Sequence, residues 1–119
     1  MLYEAGSWAD VVRESQEVVE LTLKGLLRAC GVDPPRIHDV ADVLLAERDR
    51  LPAALGNHVE RLASTSRTLR RDRELAFYGA EDLTPSSFYR EHDADIARDS
   101  ARDVVATVRP YVSEGAAAG

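Results

Sequence analysis

The sequence predicts an all-α fold, an antiparallel up-and-down bundle of four helices. Apolar residues recur at spacings of three and four in four segments, which is the period of one helix face. No segment alternates polar and apolar residues as a strand does, and short joins containing Gly or Pro separate the segments. The chain has 119 residues, enough for one hydrophobic core. We therefore expect one domain over residues 1–112 and a flexible tail over residues 113–119.

The first predicted helix runs from about Ser7 to Cys30. Ser7 is a suitable N-cap, and Gly31 stands where a helix C-cap requires positive φ. Pro34 and Pro35 prevent the helix from continuing. Its apolar face contains Trp8, Val12, Val19, Leu23, Leu26 and Cys30.

Three further helices are predicted after the first. The second runs from about His38 to Asp49 and ends before Leu51-Pro52. The third covers about 52–78 and ends at Gly79, after which the segment AEDLTPSS is predicted to be a surface loop. The last covers about 89–112. The inward-facing residues of these helices are Val40, Val43, Leu44, Leu55, Val59, Leu62, Leu69, Ala76, Ala97, Ala101, Val104, Val108 and Tyr111.

The composition excludes several classes of protein. The net charge of −6 argues against a general nucleic-acid coat protein, since such proteins are usually basic. Cys30 is the single cysteine, so no internal disulfide forms, as in proteins of a reducing compartment. No apolar run approaches the roughly 20 residues of a membrane span, and the N-terminus lacks a basic and apolar leader. We expect a cytoplasmic protein, and the sequence indicates no metal site and no cofactor.

The join after the first helix carries a family motif. The segment ESQEVVELTLKGLLRACGVDPPRIHDV resembles the signature of the HEPN superfamily (higher eukaryotes and prokaryotes nucleotide-binding domain). In that family a helix with Glu-x-x-x-Lys-x-Leu-Leu leads through a Gly and a proline-rich turn to Thr-His-Asp-Leu. The matching residues here are Glu20, Lys24, Leu26, Leu27, Gly31, Pro34, Pro35, His38 and Asp39. The segment RELAFYGAEDLTPSSFY resembles a prokaryotic, nucleotidyltransferase-associated branch through Glu74, Phe77, Tyr78 and Gly79.

The resemblance implies that the first family helix is shortened in this chain. HEPN bundles usually begin with an additional helix, where this sequence has only Met1 and Leu2. Without that helix, part of the apolar face of the first helix would be open to water, and such a patch usually marks an interface. We expect a homodimer or higher oligomer, which the family also suggests. The candidate interface residues are Trp8, Val12, Val19 and Leu23.

The pair His38-Asp39 allows two interpretations. A histidine beside a carboxylate is a candidate for acid–base chemistry. Alternatively, Asp39 in the first turn of the second helix favours the helix dipole, and His38 bonds backbone groups that the proline turn leaves free. We prefer the second interpretation, in which the pair is part of the joint between two helices.

The resemblance also provides a test for ribonuclease activity. HEPN ribonucleases share an Arg followed, after four to six residues, by a His, and they act without a metal through the RNA 2′-hydroxyl. None of the three histidines has an Arg at that spacing, so the sequence predicts that the chain is not a ribonuclease. The alternative is a divergent ribonuclease that pairs His92 with Arg90 or with Arg73.

The segment RTLRRDRE also has two interpretations. Its arginines, Arg67, Arg70, Arg71 and Arg73, fit a solvated helix surface with salt bridges. In the other interpretation, Arg73 continues the apolar stripe and needs a partner when buried. Together with Arg70, Glu74 and Tyr78, it would form a site for a nucleotide or RNA-like anion.

Three functions follow from these observations. The preferred one is a non-catalytic, homodimeric HEPN module that binds a nucleotide or RNA-like anion, or a minimal nucleotidyltransferase, within a toxin–antitoxin pair. HEPN proteins are often encoded beside such a transferase, whose motif is a Gly-Ser followed by two carboxylates that bind Mg²⁺. Gly6-Ser7 is present in this chain, but the paired carboxylates are not. The alternatives are the divergent ribonuclease toxin and a purely structural oligomerisation domain.

Overall fold

The computed structural model describes residues 8–34, 36, 39–82 and 91–118, and their side chains within 9–34, 36, 39–74 and 92–112. Four α-helices contain most of these residues: α1 (Trp8–Ala29), α2 (Val40–Ala46), α3 (Val59–Asp82) and α4 (Glu91–Ala118). Two single 3₁₀ turns, Arg48–Arg50 and Ala53–Leu55, connect α2 to α3. The described part of the chain contains no strand, and the predicted all-α helical bundle is confirmed.

The first helix lies at the centre of the bundle. It packs most extensively against α4, next against α3 and only lightly against α2, while α2 packs against α3. Residues 11–18 of α1 lie beside residues 98–106 of α4, and residues 21–25 lie beside 105–112. The helices α1 and α4 therefore run side by side in the same direction.

The third helix runs opposite to α4. Arg61, near the start of α3, donates hydrogen bonds to Asp103 and Thr107 in the middle of α4. Asp72, eleven residues further along α3, is close enough to Asp93 at the start of α4 for their charges to interact. Since α1 is parallel to α4, α3 also runs opposite to α1.

One hydrophobic core joins all four helices. Burying a Val or Leu side chain contributes about 1.5–3 kcal/mol, so this cluster holds the helices together. The predicted inward faces of the third and last helices are confirmed for the side chains that the structure describes, because these apolar residues form the core with those of α1. The side chain of Ala76 lies outside the described residues. The core contains Leu69, Ala97 and Ala101, and its largest fully buried side chains are Val12, Val19, Leu23, Leu26, Leu27, Val40, Leu44, Leu55, Val59, Leu62, Val104 and Val108.

The predicted dimer interface on α1 is wrong for three of its four residues. Val12, Val19 and Leu23 are 1%, 1% and 0% exposed within the single chain. Both α3 and α4 pack on α1, and together they cover the stripe that the sequence left open to water. Residues that the chain itself buries are not available for contacts to a second copy. The side chain of Trp8 lies outside the described residues.

The first helix ends in a Schellman motif, as Gly31 predicted. Gly31 has a φ of 82°, a region that a Cβ disfavours. Its N–H donates to the Arg28 carbonyl at 3.0 Å, and the Val32 N–H donates to the Leu27 carbonyl at 2.8 Å. Leu27 and Val32 both belong to the buried core, as the apolar pair of this motif usually does. The motif therefore ends α1 and anchors the following chain.

The second helix is shorter than the predicted range of about 38–49. Asp39 is its N-cap, because Oδ1 accepts a hydrogen bond from the Ala41 N–H at 3.0 Å. The role of Asp39 in the joint between the two helices is thus confirmed. Asp39 lies one position before the first turn of α2, in which it was predicted. The 3₁₀ turn Arg48–Arg50 accounts for the rest of the predicted length. His38 lies outside the described residues, so its role stays a prediction.

The third helix differs from the prediction at both ends. It begins at Val59 instead of near Pro52, because the 3₁₀ turn Ala53–Leu55 precedes it. It also continues through Gly79 to Asp82. A glycine inside a helix costs only about 1 kcal/mol relative to Ala, which is too little to end a helix by itself. The rest of the predicted loop, residues 83–87, lies outside the described residues.

The last helix begins at Glu91 and continues to Ala118, beyond the predicted end at Val112. It passes through Pro110, which has no N–H to donate to the carbonyl of Ala106. Both residues are exposed, so water can bond that carbonyl and the helix continues. The predicted helix end was therefore too early, and the flexibility of the tail over 113–119 stays a prediction.

Candidate functional site

A groove runs along the surface between α1 and α4. It consists of two adjoining hollows, of about 430 Å³ and about 310 Å³, which share Val105 and Arg109. From Val11 to Gly25 it is about 21 Å long, at roughly 1.5 Å per helical residue. We call it the α1–α4 groove. It is lined by Val11, Glu14, Ser15, Val18, Leu21, Thr22 and Gly25 of α1 and by Arg98, Ala101, Arg102, Val105, Ala106, Val108, Arg109 and Val112 of α4.

The groove has an apolar floor that is open to solvent. Val18 and Leu21 are 42% and 68% exposed, and only Ile96 joins them as a large exposed apolar residue in the described part of the chain. Together with Glu14 and Gly25, they form a second helical stripe on α1, beside the buried one. A Cβ at Gly25 would meet nothing within 4 Å, so the floor is open there. Apolar side chains exposed in a groove are available to a second molecule, because covering them removes apolar surface from water.

Arginines form one edge of the groove. Arg98, Arg102 and Arg109 follow one side of α4 at spacings of four and seven residues, while Glu14 is the one acidic residue of the lining. Three arginines and one glutamate give the lining a net charge of +2, whereas the whole chain carries −6. Arg98 donates to Asp95 at 2.9 Å. Arg102 and Arg109 make no ion pair or hydrogen bond with the described residues.

Two arginines of the segment RTLRRDRE connect α3 to α2. Arg67 donates a hydrogen bond to Asp42 of α2. Arg70 lies 3.7 Å from the carboxylate of Asp39, the residue that caps α2. These side chains are between about a quarter and two thirds exposed, so each pair contributes at most about 1 kcal/mol. The geometry fits the interpretation of this segment as a surface with salt bridges.

Arg73 is engaged with α1. Its guanidinium donates to the side-chain oxygen of the buried Gln16 at 2.6 Å and lies 3.7 Å from Glu17. Arg73 thus has the partner that a half-buried arginine needs, and the chain itself provides it. Glu74 is exposed, and the side chain of Tyr78 lies outside the described residues. A nucleotide site at these positions stays a prediction.

The residues of the alternative ribonuclease site are not brought together in the described part of the chain. His92 is exposed near the start of α4, Arg90 lies outside the described residues, and Arg73 is engaged with α1. The one described His–Arg contact joins His58 to Arg61, whose Nη1 donates to Nδ1 at 2.7 Å. Since Arg61 also bonds to α4, this contact fixes the start of α3 to the bundle.

Two groups among the described residues have a shifted pKa. Burial raises the pKa of the Cys30 thiol above its ordinary value, which lowers its reactivity at neutral pH. The pKa of Asp72 is also raised, first by burial and then by the negative charge of Asp93, while Arg71 acts in the opposite direction. Neither group lines the α1–α4 groove.

The described residues contain no group of three or more His, Cys, Asp or Glu side chains placed to hold a metal ion. A separate observation concerns membranes: none of the helices in the described ranges has both the length and the apolar character needed to cross a bilayer.

The α1–α4 groove was not predicted from the sequence. The signal that could have found it is the second stripe on α1, in which Glu14, Val18, Leu21 and Gly25 are spaced by four, three and four residues. On α4 the arginines repeat at helical spacing beside the apolar face. Neither stripe indicates by itself that α1 and α4 are neighbours, so the groove emerges only from the folded chain.

Comparison with known proteins gives one match. A family model described as HEPN domain matches residues 1–111, a range that includes α1, α2, α3, most of α4 and nearly the whole lining of the groove. No curated protein and no solved structure matches the chain. The family match covers the same joint and helices that carried the resemblance in the sequence. The chain belongs to the HEPN domain family.

Proposed function

We propose that this chain is a non-catalytic HEPN module that acts by binding another polypeptide. The partner is a second copy of the chain or a different protein, for which a minimal nucleotidyltransferase is the candidate from the family resemblance. The observation that carries the proposal is the α1–α4 groove, whose apolar floor extends over about four helical turns.

The energetics of burial support this proposal. Val18 and Leu21 are the large apolar residues that are exposed in the described part of α1, and both lie in the groove. Covering apolar surface contributes about 25 cal/mol per Å². A polypeptide laid along the groove would therefore gain binding energy from residues that contribute little to the stability of the single chain.

The non-catalytic part of the proposal is supported by the placement of the basic residues. Acid–base catalysis at an RNA 2′-hydroxyl needs a base within about 3 Å of the proton that it removes. In the described residues, His58 is engaged with Arg61, and Arg73 with Gln16. His92 is exposed on α4 and makes no contact with an arginine among the described residues.

Incubation with RNA tests this part. The purified chain, its His92→Ala variant and a variant with all three histidines replaced by Ala are incubated with total RNA in the presence of EDTA. We expect no cleavage above the level of the triple variant. Cleavage that is lost on replacing His92 would show a divergent ribonuclease and would refute the non-catalytic module.

A further inference from the structure

We propose that the α1–α4 groove binds an amphipathic helix of a partner protein, and that this helix carries acidic residues along one edge. The inference rests on the proposed function and deepens it by naming the chemistry of the partner. Three features support it: the shape of the groove, the arginines on its α4 edge and the charge balance of its lining.

The shape of the groove fits a helix. Two parallel helices form its walls, and its two hollows follow one another along about 21 Å. A helix laid along such a groove inserts apolar side chains from successive turns, at positions i, i+4 and i+7. The open floor at Gly25 leaves room for one of these side chains near the end of the groove.

The charges on the α4 edge select acidic residues. Arg102 and Arg109 are two helical turns apart, about 10.5 Å, and they have no partner among the described residues. Acidic side chains seven residues apart on a bound helix would meet these two arginines. Hydrogen bonds between guanidinium and carboxylate are among the stronger ones in proteins, and here they would lie at the border of an apolar surface.

The charge balance disfavours a second copy in this groove. Each copy would bring a lining with three arginines and one glutamate, so most of the charges that meet would have the same sign. The two chains would also repel each other through their net charges of −6 each. An acidic helix neutralises the arginines without this repulsion between linings.

A displayed peptide library tests the proposal. The library consists of amphipathic helices of 16 residues with apolar residues fixed at i, i+4, i+7 and i+11 and all flanking positions randomised. It is selected on the intact chain in low salt. We expect Glu or Asp to be enriched at two flanking positions seven residues apart. Enrichment of Lys or Arg there, or no preference for charge, would overturn the proposal.

Charge reversal then locates the site. Replacing both Arg102 and Arg109 with Glu should weaken binding of a selected peptide at least tenfold and should favour a peptide in which the two acids are changed to Lys. The control variant reverses Arg28 and Arg50, which are exposed and lie outside the groove, and so changes the net charge equally. Equal losses in the two variants would contradict the proposed site.

Sedimentation of the free chain tests whether a second copy of the chain occupies the groove. We expect a particle of one chain, 13.1 kDa, whose mass does not change when Leu21 is replaced with Arg. A dimer that this substitution dissociates would assign the groove to a second copy and refute the acidic helix. That result would leave the non-catalytic binding module standing, whereas RNA cleavage dependent on His92 would refute the module itself.

Discussion

Arginines of the same chemistry have two different surroundings in this protein. Arg67, Arg70 and Arg73 of α3 meet carboxylates of α1 or α2, while Arg102 and Arg109 of α4 meet none in the described part of the chain. The carboxylate partners of Arg67 and Arg73 are 25 and 56 residues away in the sequence. Helical spacing therefore predicted which arginines share a face, but the packing of other helices decides which of them are neutralised.

Asp72 provides a prediction about pH at this scale. Its raised pKa means that the folded chain binds this proton more tightly than the unfolded chain does. The ionised carboxylate therefore lowers stability at neutral pH, and this cost disappears as the pH falls below the ordinary value of 3.8. We expect Asp72→Asn to raise the free energy of unfolding at pH 7, by less than about 1 kcal/mol.

Urea denaturation followed by circular dichroism at pH 7 and pH 3 measures this difference. The gain from Asp72→Asn should be present at pH 7 and absent at pH 3. The exposed Asp99 gives a matched control, because Asp99→Asn should leave stability nearly unchanged at both values. A gain that persists at pH 3 would show that the effect is not due to ionisation of Asp72.

Among the helices, sequence predicted the ends that backbone geometry imposes and missed those that packing overrides. The end of α1 was predicted correctly, because Gly31 adopts the positive φ that its type allows. Gly79 was predicted to end α3 but lies within it, because a glycine costs only about 1 kcal/mol relative to Ala and the neighbouring turns continue the helix. The predicted range of the last helix already included Pro110, which lies within α4.

Two glycines of one segment should respond in opposite directions to the same substitution. A Cβ at Gly25 or at Gly31 would meet nothing within 4 Å, so the backbone conformation alone decides the result. Gly31→Ala should cost about 1–2 kcal/mol because it forces alanine into the left-handed region. Gly25→Ala should gain about 0.5–1 kcal/mol, since Gly25 lies inside α1.

Thermal and urea unfolding of the two variants, each compared with the wild type, measure this contrast. The two substitutions remove the same glycine hydrogen and add the same methyl group, so each variant is the control for the other. Shifts of the same sign would mean that Gly31 does not end α1 through its positive φ.

At the scale of the whole molecule, the class of fold could be predicted but the functional surface could not. Helical periodicity indicates which residues of a helix are buried, and the stripe of Val12, Val19 and Leu23 was identified correctly as apolar. Helical periodicity does not indicate which other helices cover that stripe. Because α3 and α4 both pack on α1, Val12, Val19 and Leu23 lie in the core. The large apolar residues that are exposed in the described part of α1 are Val18 and Leu21.

Substitution of two leucines of α1 measures the difference between the buried and the exposed apolar positions of this helix. Leu23 is fully buried and Leu21 is 68% exposed, so Leu23→Ala should cost about 2–5 kcal/mol, while Leu21→Ala should change stability by no more than about 0.5 kcal/mol. The unfolding midpoint of each variant is measured at two protein concentrations differing a hundredfold. If Leu23 contributed to a dimer, the stability lost in Leu23→Ala would depend on protein concentration, because association stabilises the folded state by mass action. A loss of stability in Leu23→Ala that is large and independent of concentration places Leu23 in the core of the single chain. Leu21 is then the leucine that is available to contact a partner.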